Sequence, residues 1–167
     1  MCVMKSIKIE VERFDLVSSK SFEEVLLELD KGIGRPLGSR YFEQKAAAQS
    51  FEEYEQLIKG AIGPSDLMEF LRLDPGAVFR KDAASKQFKM VRIIAGNPLI
   101  MKKMAERVPD AASYAPVTIL VSERENGVHI SYDSMSSYLA PYSDAPALEV
   151  ARDLDEKVIR LLQQAAS

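Results

Sequence analysis

The stretch APVTILVSERENGVHISYD, residues 115–133, predicts a β-hairpin that forms the centre of the fold. Apolar and polar residues alternate in both halves, as in strands with one buried face. The apolar positions are Val117, Ile119, Val121, Val128, Ile130 and Tyr132. Asn126-Gly127 is a strong signal for a two-residue turn, because both of its positions need positive φ. A turn at this pair would place Val121 opposite Tyr132.

Further strands and amphipathic helices flank the hairpin. Residues 6–17 alternate like a half-buried strand, with Ile7, Ile9 and Val11 on one face. Capping signals open helices after Ser21, Ser50 and Asp144. Residues 87–95 indicate another strand, and residues 67–73 fit either a strand or a helical turn. Long helices around antiparallel strands predict an α+β fold, with helices packed on one face of a twisted sheet.

The composition indicates one globular domain over residues 1–167, since 47% of the residues are hydrophobic and 28% are charged. The net charge is -3 and basic residues are mixed with acidic ones, which argues against nucleic acid and anionic membranes as partners. The chain lacks the apolar segment of about 20 residues that a membrane span needs and a signal-peptide pattern. We therefore expect a cytoplasmic protein. The single cysteine, Cys2, has no second thiol for a disulfide or a metal.

The junction RIIAGNPLIMKKM, residues 92–104, allows two interpretations. Asn97 is a good N-cap and Pro98 suits the first helical position, so the stretch can simply start a helix. Alternatively, Gly96 permits close approach of a ligand to the backbone, and the helix start favours an anion. The glycine and lysine spacings of dinucleotide and phosphate loops are not present. Gly96 and Asn97 are therefore candidate ligand-binding residues.

A second candidate site lies in the loop SYDSMSSYLAPYS, residues 131–143. Loops on a rigid scaffold often carry function. Asp133 could act as a general base or accept a hydrogen bond, and Tyr132 could supply a ring wall and a phenol donor; alternatively, Asp133 caps a helical turn and Tyr132 is core. The remaining candidate ligand-binding residues are Tyr114, Ser137 and Tyr138.

Metal and histidine chemistry are not expected. His129 is the only histidine, and its strand position next to the turn predicts a surface residue. One histidine without a usable cysteine supports neither a catalytic triad nor a zinc site. The acidic run at residues 153–157 is typical of the solvated face of a helix. We expect neither a bound metal nor a cofactor.

The order of four segments resembles family 302 of the domains of unknown function (DUF302). The segments are AGNPLIMKKM (95–104), PDAASYAPVTILVSE (109–123), NGVHISYDSMSSYLA (126–140) and the C-terminal amphipathic helix. The resemblance covers residues 5–163 and is strongest from residue 88 onward. It implies a small α+β domain of the TBP-like class, in which helices grip a curved antiparallel sheet. Similar domains often form homodimers.

The chain departs from the family pattern in two places. The resemblance implies Pro-Ser after the Tyr-Asp pair, where this chain has Ser134-Met135. Some members also carry a histidine near the stretch that in this chain reads LRLDPGAVF, residues 71–79, and this chain has none there. No role of that histidine can be transferred, and a fold of this kind does not by itself specify a function.

Three functions remain open from the sequence. The first is a non-catalytic domain that binds a small molecule in a pocket between sheet and helices. The second is a cofactor-independent lyase or isomerase, in which Asp133 moves a proton while Tyr132 and the Gly96-Asn97 backbone hold the oxyanion. The third is a structural or oligomerisation module, which would present a large apolar patch.

Overall fold

A computed structural model describes residues 3–36 and 39–167 as an α+β fold around one five-stranded antiparallel sheet. The strands are β1 (Arg13–Ser18), β2 (Met68–Leu73), β3 (Met90–Gly96), β4 (Val117–Arg124) and β5 (Gly127–Asp133), in the order β1-β5-β4-β3-β2. The helices are α1 (Phe22–Gly32), α2 (Ser39–Ala47), α3 (Phe51–Ala61), α4 (Gly76–Phe79), α5 (Pro98–Ala105), α6 (Ala111–Tyr114), α7 (Met135–Leu139) and α8 (Ala145–Ala166). The predicted fold class is confirmed. Cys2 lies outside the described residues.

The core lies between one face of the sheet and the longer helices. Side chains of the inner sheet face pack in one cluster with α1, α5 and α8. Its fully buried sheet members include Ile93, Ala95, Ile119, Val121, Ile130 and Tyr132. Alternate residues of the same strands point to the opposite, outer face of the sheet. Of the described helices, none combines the length and apolar character that a membrane crossing requires.

The predicted helix starts have the expected capping geometry. Ser21 and Glu24 form a complete capping box, in which each side chain bonds the backbone of the other residue. Ser50, Asn97 and Asp144 each accept a backbone N–H with their side chains. Local side-chain chemistry therefore sets where α1, α3, α5 and α8 begin.

The hairpin forms, but its register differs from the predicted one. Ile119 rather than Val121 lies opposite Tyr132, and the two loop residues are Glu125 and Asn126. The reason is that, of the Asn126-Gly127 pair, only Gly127 has positive φ, at 132°. The turn therefore closes one residue earlier than the Asn-Gly signal implies. Because this slips the pairing by two residues, every side chain stays on its predicted face.

The first strand begins later than its alternation predicts. β1 starts at Arg13, which pairs with Asp133, the last residue of β5. Residues before Arg13 extend past the end of that partner strand, so they have almost no ladder to join. Ile7 and Val11 are consequently 49% and 39% exposed. The expectation of a half-buried strand over these residues is wrong.

His129 is buried, contrary to the expectation of a surface histidine. Its exposed fraction is 6%. Its Nδ1 lies 2.8 Å from an Asp15 carboxylate oxygen, and its Nε2 lies 2.9 Å from the Asn126 side-chain oxygen. The reason is its position in a strand with neighbours on both sides, where β1 and the turn cover the ring.

Gly127 offers a direct test of the observed turn. A Cβ there would lie 2.7 Å from the Ser18 carbonyl oxygen, and the positive φ is strained for any L side chain. We expect Gly127→Ala to lower the free energy of unfolding by about 1 to 3 kcal/mol. Chemical denaturation measures this change.

Gly60 provides the matched control, because a Cβ there meets no atom within 4 Å and the residue lies in α3. Gly60→Ala should raise stability by up to about 1 kcal/mol. A neutral or stabilising Gly127→Ala would contradict the observed turn geometry.

Candidate functional site

The sequence-predicted site residues do not line one cavity. The structure places them in two separate depressions, which share Pro116 and Val117 as a common wall. The first, which we call the inner cavity, lies between the sheet and the helices and includes Gly96 and Asn97. The second, which we call the outer cleft, lies on the outer sheet face and includes Asp133, Tyr114 and Tyr138.

The inner cavity has a volume of about 160 Å³ and mostly apolar walls. Its lining comes from the sheet, from the α2–α3 pair, from α5 and from α8. The lining residues are Lys45, Tyr54, Phe70, Gly96, Asn97, Pro98, Met101, Ala115, Pro116, Val117 and Leu154. The sheet and the helices α2, α3, α5 and α8 therefore meet at this cavity.

Two backbone features shape its walls. A β-bulge between Glu69 and Leu71 leaves Phe70 out of the regular ladder, and bulges commonly redirect a side chain in this way. Gly96 lies opposite: a Cβ there would be 3.2 Å from Pro116 Cβ and 3.5 Å from the Phe70 ring. Because Gly96 has no side chain, the phenylalanine and the proline can approach the strand and frame the cavity.

Asn97 holds the cavity floor instead of offering free polar groups. Its side-chain oxygen accepts the Leu99 N–H at 2.9 Å, and its side-chain nitrogen donates to the Asp66 carbonyl at 3.0 Å. The junction therefore starts a helix with Asn97 as its N-cap, whereas the ligand-binding interpretation of Gly96 and Asn97 stays a prediction. The charged group at the cavity is Lys45, whose ammonium lies 5.9 Å from the centre of the Tyr54 ring.

The outer cleft is larger, with a volume of about 540 Å³. Outward-facing residues of four strands form its floor, and α6 and α7 form its wall. The lining residues are Arg13, Arg92, Ile94, Ser113, Tyr114, Pro116, Val117, Thr118, Asp133, Met135 and Tyr138. This size lies within the range of typical small-molecule sites.

Asp133 forms a two-point ion pair at the edge of this cleft. Arg13 donates from Nε and Nη2 to the two carboxylate oxygens, at 2.6 and 2.8 Å. The hydrogen bonds and charge of Arg13 hold the pKa of Asp133 below its ordinary value. Asp133 is thus a charged, paired carboxylate at neutral pH, and it is a weak base.

Tyrosine rings form the wall of the outer cleft. The rings of Tyr114 and Tyr138 stack with centroids 4.8 Å apart and planes 10° apart. The Tyr114 hydroxyl lies 3.0 Å from that of Tyr142, which anchors the pair at one end. Burial, reinforced by the nearby Asp133 charge, raises the pKa of Tyr138, so its phenol stays neutral. Ser137 lines neither depression; its hydroxyl donates to the Ser134 carbonyl at 2.7 Å.

Tyr132 belongs to the core and binds a buried carboxylate that the sequence interpretation missed. Its hydroxyl donates to Asp155 at 2.5 Å, and the same carboxylate accepts the N–H groups of Met135 and Ser136 at 2.7 and 3.0 Å. Burial, followed by the Asp155 charge, strongly raises the pKa of Tyr132. Tyr132 is therefore a neutral hydrogen-bond donor.

The periodicity of α8 could have revealed this carboxylate. Asp155 lies four residues after Ala151 and three before Val158, both of which are buried, so it falls within the apolar stripe. Its exposed fraction is 6%, which corrects the expectation of a solvated face at residues 153–157. In residues 3–36 and 39–167, no three His, Cys, Asp or Glu side chains cluster as a metal site would require.

The protein is a small α+β domain whose open antiparallel sheet is covered by helices on one side. The sequence model described as "Domain of unknown function DUF302" matches residues 43–165. This chain belongs to the DUF302 family.

One solved structure supports the same fold. It is described as the "crystal structure of uncharacterized conserved protein DUF302 from Bacillus stearothermophilus". The match has a TM-score of 0.63 at 10% identity and covers 92% of this chain and 97% of the other. No curated protein matches the chain.

The hydrogen-bond network around Asp155 predicts that removing the carboxylate lowers the free energy of unfolding more than removing the Tyr132 hydroxyl does. Asp155→Ala leaves the Tyr132 hydroxyl and two backbone N–H groups without their buried acceptor, so we expect a loss of more than about 3 kcal/mol of unfolding free energy. Tyr132→Phe removes one donor only and should cost about 1 to 2 kcal/mol. Denaturant titration of both variants gives the comparison, and equal costs would contradict the network.

Proposed function

We propose that the chain binds a small, mainly apolar molecule with one anionic group in the inner cavity. The observation that carries the proposal is a cavity of about 160 Å³ with apolar walls, where the sheet meets α2, α3, α5 and α8. Small-molecule sites are typically concave and lined mainly by apolar side chains with a few polar groups. The inner cavity, which is partly open to solvent at Phe70 and Pro116, has this character.

The size of the cavity sets the size of the ligand. An apolar cavity of about 150 Å³ accommodates a molecule such as benzene. A ligand with about six to ten non-hydrogen atoms fits this scale.

The position of Lys45 favours an anionic end on the ligand. Lys45 lines the cavity together with the aromatic rings of Tyr54 and Phe70. The side-chain polar atoms of Asn97 are already bonded to Leu99 and Asp66. Ligand recognition would thus combine burial of an apolar body with a charge contact at Lys45.

Catalysis is less well supported by the arrangement of the candidate residues. The hydroxyl of Tyr132 is bonded to Asp155 in the core, whereas Asp133 is paired with Arg13 at the outer cleft. Gly96 and Asn97 lie at the inner cavity. The acid–base mechanism needs these groups around one substrate.

Homodimer formation and a cytoplasmic location stay predictions.

Hexanoate is a suitable probe, because its alkyl chain fits the cavity and its carboxylate can reach Lys45. We expect a saturable shift of the Gly96, Asn97 and Ala115 amide signals in a ¹H–¹⁵N NMR titration, with a Kd of about 1 mM or below. Hexan-1-ol should bind more weakly, and Lys45→Met should remove the difference between the two probes.

Met101→Trp tests the location, because the larger side chain fills the cavity from α5. We expect this variant to stay folded and to lose hexanoate binding. Lys103→Trp is the matched control, since it adds the same side chain at an exposed position of the same helix. Hexanoate shifts that persist in Met101→Trp, or that are lacking in the unmodified protein, would overturn the proposal.

A further inference from the structure

The outer cleft contains a guanidinium that no carboxylate neutralises. Arg92 lies on the outer face of β3 and donates to the Thr118 hydroxyl at 3.3 Å. Among the residues that the structure describes, no Asp or Glu oxygen lies within 4 Å of Arg92. Arginine presents its N–H groups in a planar fork that matches a carboxylate. Arg92 is therefore available to bind an anion.

The charges around the cleft leave an excess of one positive charge. Arg13 and Arg92 contribute two positive charges, and Asp133 contributes one negative charge. The chain as a whole has a net charge of -3, so this region is opposite in sign to the protein. Arg13 is occupied by Asp133, which leaves Arg92 as the main anion contact.

The rest of the cleft suits a flat apolar body beside that anion. The stacked rings of Tyr114 and Tyr138 form one wall, and Ile94 and Pro116 add apolar surface. Aromatic rings favour offset or edge contacts with other rings and gain about 0.5 to 1.5 kcal/mol beyond area burial. A planar ring would therefore pack against the tyrosine wall more favourably than a puckered one.

We propose that the outer cleft is a second ligand site, specific for a small aromatic carboxylate whose anionic group binds Arg92 and whose ring packs against Tyr114 and Tyr138. The site is distinct from the inner cavity, because Lys45, Phe70 and Met101 do not line it. It takes a planar anion, whereas the inner cavity takes an alkyl chain.

Four probes separate the parts of this recognition. Benzoate carries both the ring and the charge, benzamide lacks the charge, cyclohexanecarboxylate lacks the planar ring, and inorganic phosphate lacks the ring altogether. The arginine Nε–Hε signals of the ¹⁵N-labelled full chain report on the site directly. We expect benzoate to shift the Arg92 signal saturably and each other probe to bind at least several-fold more weakly.

Three substitutions test the roles of the charges. Arg92→Gln should weaken benzoate binding by about tenfold or more, because it removes a charge-assisted contact. Asp133→Asn should tighten binding by about threefold, since it removes a nearby negative charge and releases Arg13. Arg124→Gln is the matched control: it removes the same charge from the same sheet face, where Arg124 lies near Asp15. It should leave affinity unchanged.

The outcomes distinguish a specific site at Arg92 from general electrostatic attraction. A tighter Asp133→Asn variant together with a weakened Arg92→Gln variant supports the proposal, and so does unchanged benzoate binding in Met101→Trp. Equal effects of Arg92→Gln and Arg124→Gln would show general electrostatic attraction and overturn it. Equal affinity for benzamide, or no saturable Arg92 shift in any variant, would overturn it as well.

Discussion

The carboxylate of Asp155 is the constraint on which the arrangement of the candidate sites depends. It lies on the buried stripe of α8 and accepts hydrogen bonds from the Tyr132 hydroxyl and from the first two amides of α7. A buried charge is unfavourable unless several donors surround it, and three donors surround this one. One side chain thereby connects the helical layer to the end of strand β5 and to the helix that follows it.

This connection fixes the start of α7, which forms part of the wall of the outer cleft. With the start of α7 held against α8, Tyr138 stacks on Tyr114 and stands beside the outer face of the sheet. The segment between α6 and β4 then runs between the two depressions, with Pro116 in contact with both. The inner cavity has one lysine and apolar walls, whereas the outer cleft has two arginines and two tyrosines. The same wall thus divides two environments of different chemistry.

The sequence predicted features that depend on local chemistry and missed those that depend on the partner strand or helix. Helix caps are local, so the starts at Ser21 and Asn97 were predicted correctly. The hairpin faces were also right, but its register depended on which turn residue takes positive φ, and the Asn-Gly pair alone does not reveal this. The prediction of a strand over residues 6–12 was wrong because the partner strand, β5, ends at Asp133. The burial of Asp155 was missed because its charge suggested a solvated residue, although its position in the helical period places it on the buried face of α8. Which candidate residues share a cavity is a property of packing that no local pattern contains.

Native-state hydrogen exchange of the Met135 and Ser136 amides tests the central constraint most directly. If Asp155 holds the start of α7, both amides exchange only through global unfolding, at rates comparable to that of Ile130 in the middle of β5. Exchange that is orders of magnitude faster than that of Ile130 would show that the start of α7 opens locally. Asp155 would then not fix α7, which supplies part of the outer-cleft wall.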